Sequence, residues 1–334
     1  MSLRQPTLRF SFKLTLLSMA LALLTVSTAS ALLPPLDDYH PSNPYWNGLE
    51  SFFKAVNATS IDLRYQKIIP ENSIIFIIGP SINVTYVDAL RKYLLEGGVL
   101  VLMDETGIVN PILSSLGLNV SVDGGQLLDP VFYYGGWRMP KIINVVGSDL
   151  TLGVESIALN IPSILNIKDS SLKVLAYSSS FSFLDLDGDS EPSAGEPTGP
   201  FPVAATTAYG RGCIILFSDS SIFLNSIISL GDNLKLLQNI AEGRKVFVDV
   251  GVWQPTPQLA YRNIVLDVYR IFQAPEFKYS IAFTAVTLIY ILTRREKPTP
   301  IVDEVDELIR KHPGWSRRLL EALKEARDKV AQHS

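Results

Sequence analysis

The densest group of chemistry-bearing side chains lies in residues 182–197, SFLDLDGDSEPSAGEP. Asp185, Asp187 and Asp189 stand at positions 1, 3 and 5 of a loop, and Glu196 stands at position 12. That is the ligand spacing of an EF-hand calcium loop, in which Glu191, at position 7, offers its backbone carbonyl. Carboxylates crowded on one loop repel each other, and a hard divalent cation suits oxygen ligands on a flexible segment. The pattern departs from an EF-hand in two ways. Ser190 occupies the glycine position while the glycine is Gly188, and the next segment reads as a strand, not a helix. The expectation is a structural, not catalytic, Ca2+ ion at Asp185, Asp187, Asp189, Glu191 and Glu196, set against a plain solvated acidic loop.

A second set lies at strand ends. Asp104 and Glu105 follow the apolar run Val99–Met103, and Asp219 and Ser220 follow Gly212–Phe217, with Asn225 soon after. Open α/β sheets bind ligands outside the carboxyl ends of their strands. Asp104, Glu105, Asp219, Ser220 and Asn225 are therefore candidate ligand-binding residues, although loop and helix capping explains the same residue types.

The histidines are His40, His312 and His333, all outside residues 42–250. A Cys-His or Ser-His pair has no base there unless His40 folds back, and a zinc site of His and Cys ligands is unsupported. The one cysteine, Cys213, sits within a strand as a small buried hydrophobe, and no intramolecular disulfide is possible. No catalytic residue is assigned. Asn57, Asn83 and Asn119 open N-x-[ST] glycosylation triplets, and Asn83 could instead cap a helix.

The elements that position these residues centre on 73–105. Residues 73–78 and 99–103 are unbroken β-branched-rich runs, as in parallel strands buried on both faces. Between them Val84, Val87, Leu90, Arg91 and Leu94 recur at helical spacing, closed by Gly97-Gly98. This is a right-handed βαβ unit. Upstream, a helix capped by Ser42 or Asn43 should run through Val56, and 60–65 should form a strand beside 73–78. Downstream come a helix at 111–116 and strands at 118–122, 141–146, 156–160 and 172–178. A hairpin follows (201–207 and 212–217), then a helix capped by Asp232-Asn233 and a strand at 245–250. The aromatic loop at 133–137 reads as surface packing.

The 334 residues are 47% hydrophobic with mean hydropathy +0.22, a surplus concentrated near the two ends. Residues 1–33 carry a basic start and an uncharged run from 14 to 33, with Ala29-Ser30-Ala31 resembling a signal-peptidase site. They read as a signal peptide or an N-terminal anchor. Residues 34–41 read as a linker, 42–250 as an extracytoplasmic α/β domain, and 251–276 as a juxtamembrane region with an amphipathic helix. Residues 277–293 read as a transmembrane helix, followed by the basic Arg294, Arg295 and Lys297. Residues 294–334 form a cytoplasmic tail of two helices, at 303–310 and 316–330. Residues 1–31 carry +3 and 294–334 carry +2 (10 basic, 8 acidic); the net −4 then leaves −9 between them. Positive flanks around an acidic middle fit the positive-inside rule, and the acidic middle argues against nucleic acid as a partner; none is expected.

The order of pieces, with DALRKYLLEGGVLVLMD at 88–104 and FPVAATTAYGRGCIILFSDSSIFLN at 201–225, resembles a membrane-anchored family of unknown function. Its fold is similar to class I glutamine amidotransferases, and the same fold occurs in gliding-motility-type ABC-transporter auxiliary proteins. The resemblance spans 42–250 and implies a flavodoxin-like, parallel-rich sheet with flanking helices. Amidotransferases carry a nucleophilic cysteine on the turn that here reads Asp104-Glu105-Thr106-Gly107, so that chemistry is carried over to no residue. The expected function is a non-catalytic, membrane-anchored binding or assembly module with a protein partner at the ectodomain or tail. The alternatives are a carboxylate- or metal-dependent hydrolase and a transporter auxiliary subunit.

Overall fold

The computed structural model describes residues 7–67, 69–293 and 303–332. The chain divides into two units, residues 1–268 and 269–334. The helices are α1 (Thr7–Leu32), α2 (Glu50–Val56), α3 (Val87–Leu95), α4 (Asn110–Ser115), α5 (Asn233–Ala241), α6 (Pro257–Gln273), α7 (Pro275–Thr293), α8 (Glu304–Lys311) and α9 (Arg317–Gln332). The strands are β1 (Thr59–Ile61), β2 (Ser73–Ile78), β3 (Val99–Met103), β4 (Val120–Val122), β5 (Gln126–Leu128), β6 (Lys141–Ile142), β7 (Asn144–Val145), β8 (Ile157–Ala158), β9 (Leu165–Ile167), β10 (Lys173–Tyr177), β11 (Phe183–Asp185), β12 (Pro202–Tyr209), β13 (Gly212–Phe217) and β14 (Lys245–Asp249).

An eight-stranded mixed sheet, in the order β1-β14-β2-β3-β13-β12-β10-β7, forms the body of the first unit. Strands β1, β14, β2, β3 and β13 run parallel, and β12, β10 and β7 continue antiparallel. Every residue of β2 and β3 is buried, as their unbroken apolar sequences require. Alternation divides them between two cores. Ile74, Phe76, Ile78, Val101 and Met103 face Phe52 of α2 and Leu237 and Ile240 of α5. Ile75, Ile77, Leu100 and Leu102 face Leu90 and Leu94 of α3 and Ile112 and Leu113 of α4. Phe52 is fully buried among Phe53, Phe76 and Phe223. Burial of this kind contributes about 2–3 kcal/mol per large side chain.

Several expectations are corrected. The first strand pairs with β14, not β2, because the last strand of the sheet inserts between them. Helix α2 begins only at Glu50, since the buried Asn43 side chain donates to Asp37 O and Asn47 Oδ1 and holds 37–47 in turns. The 141–146 strand is two short pieces, β6 and β7, and 156–160 shortens to β8. Asp232 does not cap α5 with its side chain. Its Oδ2 accepts from the amides of Glu155 and Ser156, while Asn233 bridges Ala158 and Ile222 O. Asn83 is no helix cap either, because α3 starts at Val87 with Tyr86 before it.

Two helices are long and apolar enough to cross a membrane: Phe12–Leu32 within α1 and Pro275–Thr293, which is α7. Arg294, Arg295 and Lys297 lie outside the described residues. In the second unit, α8 and α9 are joined by ion pairs from Arg317 to Asp306, Lys324 to Asp303 and Arg327 to Glu304.

Candidate functional site

The parallel strands all end on one edge of the sheet. Met103 is in register with both Ile78 and Phe217, so Gly79, Asp104-Glu105 and Ser218–Ser220 leave the sheet side by side. The amide of Gly79 donates to Met103 O at 2.9 Å, and that of Asp104 donates to Phe217 O at 3.2 Å.

Glu105 Oε2 accepts from the Ser220 amide at 2.9 Å and from Ser220 Oγ at 2.6 Å. The Tyr39 hydroxyl lies 2.6 Å from the same Oγ. With Ser220 donating to an ionised Glu105, Tyr39 donates to Ser220. Tyr39 reaches this position from residues 34–41. That segment is tied down by the Tyr39 amide on Asn47 O, Asn47 Nδ2 on Leu36 O, and the Thr256 amide on Asp37 Oδ1. It is thus tied to the domain rather than hanging free after α1. The Tyr39 ring stacks on Trp253 with centroids 6.2 Å apart, and Trp253 Nε1 donates to Ile78 O at 2.7 Å. Gly79, at φ +49°, makes the close approach possible: a Cβ there would stand 2.7 Å from the Tyr39 ring.

Burial dominates the electrostatics. It raises the Glu105 carboxyl above the usual carboxylate range, against the pull of the two Ser220 donors. Asp219, fully buried, is pushed up to about 8, first by burial and then by the charge of Glu105. The amides of Asn160 and Ser221, each 2.6 Å from an Asp219 oxygen, oppose that shift. Burial and Glu105 also raise the Tyr39 hydroxyl.

The other two residues expected at this edge serve the backbone. Asp104 Oδ1 accepts from the amide and hydroxyl of Thr106, and Oδ2 accepts from the Val109 amide at 2.9 Å, which fastens the turn from β3 into α4. Asn225 is not brought into the group. Its Nδ2 donates to Asn43 O and Tyr45 O, and its Oδ1 accepts from the Ser51 amide.

Sequence reasoning missed Tyr39, Gly79 and Trp253, and left the fold-back of His40 open. Beside Tyr39, at the ends of β1, β2 and β14, lies an open cavity of ≈ 580 Å³ lined by Asp37, His40, Asp62, Arg64, Ser81 and Trp253 among others. Burial lowers the pKa of His40, and its Nδ1 accepts from the Ser42 amide at 3.1 Å. Arg64 is forked onto Asp62 at 2.8 and 2.6 Å. The readable signal was Gly79-Pro80 directly after a buried strand, with a tyrosine inside the polar Asp37–His40 stretch.

On the acidic loop, ligand atoms of Asp185, Asp187 and Asp189 lie within 4.8 Å of one another. Glu191 and Glu196 stay outside this group. Glu196 accepts from the amides of Leu186 and Ser193, and Asp185 from those of Gly188 and Ser190, so the loop closes on its own N–H donors. Asn57, Asn83 and Asn119 are all exposed.

A family model matches residues 41–241, more than half of the chain. The chain belongs to the family described as Domain of unknown function (DUF4350). No curated protein matches the sequence significantly. Among solved structures, this DUF4350 chain is similar to the N-terminal domain of mmIFT52, at 16% identity and a TM-score of 0.41, covering 52% of this chain and 79% of that one. It is similar to a β-galactosidase from Bacillus circulans sp. alkalophilus, at 13% and 0.32, covering 52% of this chain and 23% of that one. It is also similar to a ThuA-like protein from Bacteroides uniformis, at 18% and 0.32, covering 51% and 68%. The chain thus spans less than a quarter of the β-galactosidase.

Proposed function

We propose that this DUF4350 chain is a membrane-anchored recognition module that performs no chemistry of its own. Residues 34–276 lie outside the cytoplasm, residues 294–334 lie inside it, and a protein partner binds the ectodomain or the tail. One observation carries the reading. The acids at the carboxyl edge of the sheet, Asp104, Glu105 and Asp219, are engaged by donors of their own chain, and Tyr39 stands across the crevice. A general acid or base must reach substrate; Asp104 and Asp219 are buried against these donors, and the half-buried Glu105 gives its Oε2 to Ser220. The fold underneath is read as the flavodoxin-like, amidotransferase-like sheet with its chemistry absent. The partner of an ABC-transporter auxiliary subunit would be a permease. A Ca2+ ion held by Asp185, Asp187 and Asp189 would be structural, stiffening the loop.

A carboxylate hydrolase is the second reading, favoured by two neighbouring carboxyls, Glu105 and Asp219, that burial raises above the usual carboxylate range. The full chain in detergent, assayed on ester, amide and phosphoester probes, separates the two. The expected result is no turnover that distinguishes it from Glu105→Gln, and turnover lost in that variant would overturn the recognition reading. For topology, protease added to intact cells should remove the middle of the chain and spare the tail.

A further inference from the structure

One face of the domain is apolar and exposed without serving the site. Tyr133 and Trp137 project from the 131–139 loop at 45% and 38% exposure, Ile161 at 50% and Phe181 at 61%. These segments touch: the Ile161 amide donates to Arg138 O at 2.8 Å, and the Phe132 and Phe181 rings lie 6.3 Å apart. Trp137, Met139 and Ile161 share a shallow cavity of ≈ 490 Å³. Contiguous exposed apolar surface of this kind marks interaction sites, and aromatic anchors carry most of the binding in such sites.

Ile161 points the same way. It sits at φ +55°, a region a β-branched residue enters only under strain. The strain is held on both sides, by the Asn160 amide on Asp219 Oδ2 and the Ile161 amide on Arg138 O. The side chain stays half exposed, at the cavity it shares with Trp137 and Met139.

The rim supplies the charge. Arg138 reaches Ser190 Oγ at 2.9 Å and ties the acidic loop to the patch. Asp187, Asp189 and Glu191 are exposed there, and residues 185–196 contain no base. An acidic rim repels anionic lipid and attracts cationic protein.

We infer that the Trp137–Ile161–Phe181 face docks a cationic, amphipathic segment of a protein partner, with apolar anchors in the cavity and Lys or Arg against the 187–191 rim. This deepens the recognition-module reading and rests on it.

The test uses the full chain in detergent with chelator present, so that no calcium neutralises the 187–191 carboxylates, and a fluorescent amphipathic Leu/Lys peptide read by anisotropy, with empty micelles subtracted. Saturable binding is expected, weakened about tenfold or more by Trp137→Ala and by Ile161→Gly. Glycine accepts the backbone angle at 161, so that variant keeps its melting temperature or gains. Asp187→Asn with Asp189→Asn should weaken binding and flatten its salt dependence. Equal binding by the variants, equal binding of a Leu/Glu peptide, or no saturable binding overturns the inference. Capture of phosphatidylserine vesicles through the same residues also overturns it, in favour of a lipid surface. Turnover lost in Glu105→Gln would sink the recognition reading whatever the peptide does, whereas failed peptide binding with no turnover sinks this inference alone.

Discussion

The Tyr39 hydroxyl and Ser220 Oγ are 2.6 Å apart across 181 residues of sequence, and this bond closes the carboxyl edge of the sheet. Ser220 hands the contact on to Glu105. A residue that precedes every strand therefore seals the crevice between β2, β3 and β13.

Removing the seal should be measurable. Tyr39→Phe loses one hydroxyl bond and should cost about 1 kcal/mol. Tyr39→Ala also loses the stack on Trp253 and should cost roughly 2–3 kcal/mol. Urea unfolding of the two variants should rank them in that order. Equal midpoints would mean that the ring contributes nothing beyond its hydroxyl.

The raised carboxyls set a pH dependence. Asp219 binds its proton up to about pH 8 when folded and up to about pH 4 when unfolded. The unfolded chain therefore holds fewer protons between those values, and stability falls as pH rises through them. Glu105 is shifted in the same direction and adds to the slope. Melting temperature should decline from pH 5 to pH 8, and Asp219→Asn should flatten much of that decline. A melting temperature that rises over this range would contradict the assignment.

Gly79 is a steric test of the same contact. Gly79→Ala places a Cβ 2.7 Å from the Tyr39 ring on a backbone at φ +49°. A loss of roughly 1–3 kcal/mol is expected. Combined with Tyr39→Ala the steric part should vanish, so the double variant should lose less than the sum of the singles. Strict additivity would place the clash elsewhere.

The acidic loop brings three carboxylates together, but each of them, like Glu196, already accepts from an amide of the loop. Such a partial ligand set would bind calcium weakly, on the order of 10⁻⁴–10⁻³ M as in extracellular modules. Millimolar calcium should raise the melting temperature, and chelator should reverse the change. No shift at saturating calcium, or a shift retained in Asp187→Asn, would remove the metal from this loop.

How far the sequence could be read depends on the range of the interaction. Strands β2 and β3 were legible because each holds five consecutive apolar, β-branched-rich residues, Ile74–Ile78 and Val99–Met103, the pattern of a strand buried on both faces. The β12–β13 hairpin was legible through Tyr209-Gly210-Arg211-Gly212, and Asp104 through Glu105 and Asp219 through Ser220 were placed at the correct edge by strand direction alone. The place of β14 was not legible, since nothing in KVFVD says which gap it fills. Tyr39 was hidden for a related reason. Its partners lie far away in sequence, and its neighbours Asp37, Asp38 and His40 carry a linker's composition. The Asn225 error was one of chemistry: an amide beside a strand end suits a ligand and a backbone clamp equally, and only the carbonyls of Asn43 and Tyr45 decide between them.

Strand β14 has a consequence for how the domain is made. It lies between β1 and β2 but is synthesised last, and the matched family region stops at 241, before it begins. Until Asp249 is available, the two earliest strands of the sheet stand about 9–10 Å apart across an empty slot, each with an open ladder of N–H and C=O groups. A fragment cut at the family boundary would keep both of those edges and should self-associate. The domain therefore completes itself only as the chain delivers the residues just ahead of α6 and α7, so the sheet's first two strands are joined by its last.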